Sequence, residues 1–308
     1  MTRIPSPTRR RRPVSESAAG NIYDLGYQRY EGVRLGRRHA ILALYRASLR
    51  GAFGLGRRTT AKIAPAVLVV VALGPALLQL LGALLAGDGD IEIVRHDEYY
   101  TLVTFVLAIY VAAIAPDVVG RDQNNRTLTL YFTRAISRSD YVLAKFLALT
   151  SAMLLITLAP QLVLFAANGL VADSFGTYLR EDLDQLPPIV GTAVLGSALI
   201  ASIGAAIAAQ TPQRAFATVG IVATFLLTAI IAGILVSAID SLWTRLAIYI
   251  SPFAMLEGFT VWMFRAEVNE DSLLVTADFA LYTYALAALA ITAGCYGLLL
   301  RRYLKVQA

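Results

Sequence analysis

Cysteine and histidine are almost absent from this chain. Cys295 stands alone, and His39 and His96 lie far apart, so neither a disulfide framework nor a metal site of thiolates or paired imidazoles can be assembled. Charge is scarce too: 16% of the 308 residues are charged and 57% are hydrophobic, against roughly 25% and about 45–50% in soluble domains. That balance excludes a soluble enzyme. Catalytic signatures are missing as well. There is no HExxH, no GxSxG and no paired acidic motif facing the cytoplasm. Without GxxxxGK[ST] the chain has no P-loop of its own for ATP, so any uphill work must draw on another subunit.

What is present is a series of long apolar runs. A bilayer core of about 30 Å needs roughly 20 helical residues, and residues 63–86, 99–119, 146–172, 188–209, 215–239 and 279–300 meet that length without Lys, Arg or Glu. Asp117 is the single acid within them. A seventh run, 242–264, contains Arg245, Pro252, Glu257 and Gly258, and each charge deep in the core would cost about 2.5–3.5 kcal/mol. It reads as re-entrant or interfacial.

Basic residues settle the expected topology, because loops retained in the cytoplasm carry the excess of Lys and Arg. With six spans, 23 of the 27 basic residues fall on the side of the two termini, leaving Arg95, Arg180, Arg245 and Arg265 on the other side with 15 of the 21 acids. The net charge of +6 is therefore a topology signal, and nucleic acid is not an expected partner. Both termini are predicted to be cytoplasmic, in the inner membrane of a bacterium. The fold class is all-α, a polytopic membrane protein with six transmembrane helices, an N-terminal amphipathic surface helix and an outer re-entrant segment before the last span. Residues 1–20 are expected to form a disordered basic tail, 21–62 a cytoplasmic lead-in with the surface helix, and 63–308 the transmembrane domain.

At about 100° per residue, Ile41, Leu44, Tyr45, Leu49, Ala52 and Phe53 share one face of the surface helix, while His39, Arg46, Arg50 and Arg57 gather opposite. The apolar face suits the acyl boundary and the basic face suits anionic membrane lipids, before the chain turns at residues 54–56. Coupling-ion transporters place acids, Lys or His within their spans; here the deep polar groups are Gln79, Gln161 and Asn168, candidates for lining a pathway or for plain helix packing. In the fourth span Ser197, Ala201, Ala205 and Ala209 repeat every four residues beside Gly196 and Gly204, a face that admits a neighbouring backbone.

The longest cytoplasmic connection between spans, residues 120–139, lies within APDVVGRDQNNRTLTLYFTRAISRSDYVLAKFLAL. This stretch resembles the segment between the second and third spans of ABC exporter permeases of the type-two class. The resemblance is carried by Asp122, Thr127, Leu128, Leu130, Ser137, Arg138 and Lys145, and by the lead-in IYDLGYQRYEGVRLGRR, similar to that of actinobacterial permeases. The family often has Glu at 122, Gly at 126 and Pro at 135, where this chain has Asp122, Arg126 and Ala135. The resemblance implies a permease dimer, with an identical or related second chain, and two ABC ATP-binding subunits that hold ATP and Mg. It also implies that 120–139 couples them to the spans. The expected coupling residues are Arg121, Asp122, Arg126, Thr127, Leu128, Leu130, Tyr131 and Arg134. Asp122 and Arg126 are expected to pair at i and i+4, with Leu128, Leu130 and Phe132 available to a groove. The residues alone leave a channel, a secondary transporter or a membrane-embedded enzyme as alternatives.

Overall fold

The computed structural model describes residues 32, 35–56, 59–86, 94–125, 127–132, 136–171, 175–238 and 241–305. The basic tail and nearly all of the lead-in before residue 35 lie outside them. Among the described residues all regular structure is helical. In chain order the helices are α1 (Gly36–Ala52), α2 (Thr60–Ala86), α3 (Tyr99–Ala115), α4 (Arg121–Asn124), α5 (Leu128–Phe132), α6 (Arg138–Val171) and α7 (Phe175–Glu181). There follow α8 (Leu186–Ala208), α9 (Arg214–Ala238), α10 (Leu242–Arg245), α11 (Pro252–Phe264), α12 (Leu273–Ala277) and α13 (Tyr282–Leu304). Six of them, α2, α3, α6, α8, α9 and α13, are long and apolar enough to cross a bilayer.

The helix ends follow local chemistry. Gly54 and Gly56 take φ of 68° and 84° in the turn between α1 and α2, a conformation that glycine adopts without a Cβ penalty. Pro187 and Pro188 fall in the first turn of α8, where a missing N–H costs nothing, so this helix starts at Leu186 rather than at 188. The stretch 242–264 is two pieces, residues 242–250 and α11, bent by 91°. At the corner the Ser251 side chain caps α11 by accepting from Ala254 N–H (3.3 Å).

Several spans reach further than expected at the same end of the bundle. The second does not stop at 119: α3 runs through a π-helical turn, Pro116–Gly120, into α4. The third begins at Arg138 instead of 146, because Tyr141 and Lys145 find buried partners there and the helix need not wait for apolar residues. α13 is likewise shifted toward the C-terminus, ending at Leu304.

Small residues build the centre. Ser197, Ala201 and Ala205 on α8, and Ala209 just past its end, are fully buried. A Cβ at Gly204 would stand 2.5 Å from Val111 Cγ2 on α3, and one at Gly196 would stand 2.9 Å from Leu256 Cδ1 on α11. Ser197 shares a 2.9 Å hydrogen bond with Thr157 of α6. Helix α1 lies against α6, burying Leu44, Ser48 and Ala52 and donating from the Tyr45 hydroxyl to Ser151 Oγ (2.9 Å). The face assigned to the acyl boundary is thus partly used against the bundle, where the Tyr45 hydroxyl finds a partner that lipid would not supply. Arg46, Arg50 and His39 stay exposed on the other side; Arg57 lies outside the described residues.

Candidate functional site

α1, the N-terminus of α6 and the C-terminal ends of α3 and α13 meet at one end of the bundle, here called the basic end. Its centre is Asp122 on α4. Asp122 Oδ2 lies 2.7 Å from Lys145 Nζ and accepts the Tyr141 hydroxyl at 2.8 Å. Lys145 is only 8% exposed in its side chain, and such a cation is tolerated because its partner is in contact and hydrogen bonded. The Tyr141 ring packs at 5.6, 5.8 and 5.2 Å from the rings of Tyr131, Phe132 and Tyr303.

Beside Asp122, Gln123 ties the same helix to two other elements. Its Nε2 donates to the Tyr303 hydroxyl (2.9 Å) and to the Ala209 carbonyl (3.2 Å), while the Tyr303 hydroxyl donates to the Val119 carbonyl (3.2 Å). Arg138 donates to the Leu304 carbonyl (2.6 Å) and lies 5.5 Å from the centre of the Phe132 ring. At the rim Arg37 forks onto Asp140 (2.7 and 2.8 Å), which raises the guanidinium pKa through the hydrogen bond and the opposite charge. Arg214 reaches Asp117 at 3.4 Å. A cavity of about 300 Å³ lies between α1 and this assembly, lined among others by Gly51, Asp117, Arg121, Asn125, Thr127 and Tyr131.

The expected coupling residues divide accordingly. Arg121 is exposed, Asp122 and Tyr131 are half-buried, and Thr127 turns back onto the Asp122 carbonyl through its N–H (3.1 Å) and hydroxyl (3.3 Å). The expected i, i+4 pair of Asp122 with Arg126 falls outside the described residues; among those described, Asp122 takes Lys145 and Tyr141 as partners. Arg126 and Arg134 lie outside the described residues, as does the Leu130 side chain. Leu128 was expected to be free for a groove, yet it is 8% exposed, because α5 folds its own apolar side onto the bundle. Tyr141, Gln123 and Tyr303 were missed. Their signal was a polar or aromatic residue at the basic end of three different spans.

The other three site candidates meet at the opposite, acidic end. Gln79 Nε2 donates to Asn168 Oδ1 (2.8 Å) while its Oε1 accepts Val94 N–H (3.2 Å). Gln161 Nε2 donates to the His96 carbonyl (3.0 Å), so its Oε1 faces the His96 ring at 2.6 Å and takes the proton of Nδ1. Gln79 and Gln161 are fully enclosed. Together the three amides clasp residues 94–96 onto α2 and α6. His96 stacks on Phe264 (6.3 Å, 4°), and burial lowers its pKa, with the Gln161 bond acting the other way.

Six apolar spans, a buried polar latch at one end and an amide clasp at the other define a polytopic helical membrane protein of the permease type. The chain belongs to a particular family of that class: the profile described as ABC-2 family transporter protein matches residues 96–301. It is an ABC transporter permease, a class that typically works with ATP-binding subunits. Comparison with curated proteins finds no match.

Proposed function

We propose that this permease is the membrane half of an ATP-driven exporter, working as a dimer of permease chains with two separate ATP-binding subunits docked at the basic end. The basic end then faces the cytoplasm of a bacterial cell, a reading supported by the excess of Lys and Arg that the sequence puts in the connections of that side. ATP and Mg are held by the partner subunits, and residues 120–139 receive their motion. The observation that carries this reading is the latch at Asp122. One short helix is joined to α6 through Lys145 and Tyr141, to α13 through Tyr303 and to the end of α8 through Ala209. A displacement of α4 and α5 therefore reaches three spans at once, and that suits a two-state change of access driven from outside the chain.

The test is recovery of an ATPase with the tagged chain in mild detergent. The wild-type chain is expected to bring down a P-loop subunit. Arg121→Glu with Asn125→Asp alters exposed positions only, and is expected to lower that recovery while the permease remains folded. Changing Leu128 is a poorer probe, since its burial confounds docking with folding. Full recovery and normal transport with the Arg121/Asn125 double variant would move the docking surface away from this loop.

A further inference from the structure

Two cavities at the acidic end run into one another. A polar one of about 580 Å³ is bordered by Asp184, Gln185, Pro188, Phe264 and Arg265, and an apolar one of about 760 Å³ by Val194, Ala198, Tyr282, Leu286 and Leu289; both share Gly191, Trp262 and Met263. Each volume lies within the range of about 300–1,000 Å³ usual for ligand sites. The geometry points to a binding site for one phospholipid of the outer leaflet, a zwitterionic glycerophospholipid with its chains between α8 and α13 and its headgroup between Asp184 and Arg265.

Depth is the first argument. Along α8, Val190 to Ala198 covers about 12 Å, and along α13, Tyr282 to Leu289 covers about 10 Å, close to the roughly 15 Å of one leaflet's hydrocarbon. The apolar part thus occupies one leaflet and stops there. Its walls turn exposed Val190, Val194, Leu286 and Leu289 toward the bilayer, so lipid can enter sideways without crossing a polar barrier.

Charge is the second. Arg265 and Asp184 are both exposed, and neither has a side-chain partner among the described residues. A guanidinium binds a phosphate through paired N–H donors, and a carboxylate binds an ammonium. A headgroup with both charges satisfies both residues; a purely anionic one leaves Asp184 unmatched. Arg265 is held at this rim by the left-handed end of α11 (φ 53°), so its position is set by the fold rather than by a flexible loop.

The junction between the two parts is the third. Gly191 lies where the cavities join, and a Cβ there would stand 3.0 Å from Met263 Sδ, which also accepts from Thr192 Oγ1 at 3.3 Å. A larger side chain at 191 would close the passage from headgroup to chains.

This site needs no ATPase and is tested without one. The full chain, placed in vesicles of phosphatidylethanolamine and phosphatidylglycerol, is irradiated with a phosphatidylethanolamine carrying a chain diazirine, and the labelled peptides are located by mass spectrometry. Labelling should concentrate on Trp262, Met263 and residues 282–289 rather than on the lipid-facing sides of α2 and α9. Arg265→Gln should lower it about tenfold, the effect of losing one charge-assisted contact. Gly191→Leu should shift labelling out of the groove. If Gly191→Leu fails to fold, Arg265→Gln decides alone, since it changes only an exposed side chain. Even labelling of all lipid-facing helices, or no change in Arg265→Gln, overturns the site. Equal labelling by a phosphatidylglycerol probe overturns the zwitterionic headgroup. Disulfide-linked dimers of L286C in a Cys295→Ser background would show that a second copy of the chain fills the groove instead.

Discussion

Lys145 sits in a nearly closed site with Asp122 2.7 Å away and the Tyr141 ring 5.5 Å away. Removing one partner leaves the other poorly hydrated and without its counter-group, a loss of about 3–5 kcal/mol for fully buried pairs. Because both keep a little exposure, Lys145→Met is expected to fall near the lower end of that range, measured as a drop in thermal midpoint in detergent. Asp122→Leu combined with Lys145→Met should recover much of the loss. A single variant as stable as wild type would mean that water reaches the pair. His96 obeys a different rule. Its folded pKa lies below the ordinary value of about 6.5 because burial disfavours the imidazolium. The unfolded chain therefore binds the proton first. Stability should be unaffected above about pH 7 and fall as pH drops through the unfolded value toward the lowered one. Thermal midpoints of wild type and His96→Gln between pH 7.5 and pH 5 check this: only wild type should show the acid-side decline. No sequence pattern announced this role, since the partner of His96, Gln161, lies on α6, far away in sequence.

Among the elements, α8 depends most on the absence of side chains. Gly204→Val would force its branched side chain into Val111 of α3, and overpacking of this kind costs about 1–3 kcal/mol. A lowered midpoint and yield are expected. Gly297 on α13 meets nothing within 4 Å, so Gly297→Ala should raise the midpoint slightly by the helix preference of alanine, about 0.5–1 kcal/mol. Equal behaviour of the two variants would mean that α8 is not packed as described. The small face of α8 was legible because a four-residue repeat of Ser and Ala has few other uses in an apolar run. The long runs were legible for the same reason of length. By contrast, the early start of α6 was hidden: Tyr141 and Lys145 look like loop residues until Asp122, Tyr131 and Tyr303 are brought to them. The π turn at Pro116–Gly120 left no trace in hydropathy, since it changes hydrogen bonding and not composition. Of the site, the acid at 122 was legible and its partners Lys145 and Tyr141 were not, because the fold brings them from another helix.

For the molecule as a whole, the proposed orientation makes a simple expectation. In a Cys295→Ser background, cysteine at Asn269 should react with an impermeant maleimide on intact cells, and cysteine at Lys305 only after permeabilisation. Reaction of both from one side would mean that the bent stretch 242–264 crosses the membrane and that the count of spans is odd. Helix α6 has a further consequence. Its 34 residues measure about 51 Å, well beyond the bilayer's hydrocarbon, and it bears Tyr141 and Lys145 at one end, Gln161 and Asn168 toward the other. The latch and the clasp are thus fittings on one shaft. A twist at the basic-end fitting reaches the loop at His96 along a single helix, in which Pro160 removes one backbone donor. Two fittings on a common shaft move together by construction, and no separate messenger between the two ends of the bundle is required.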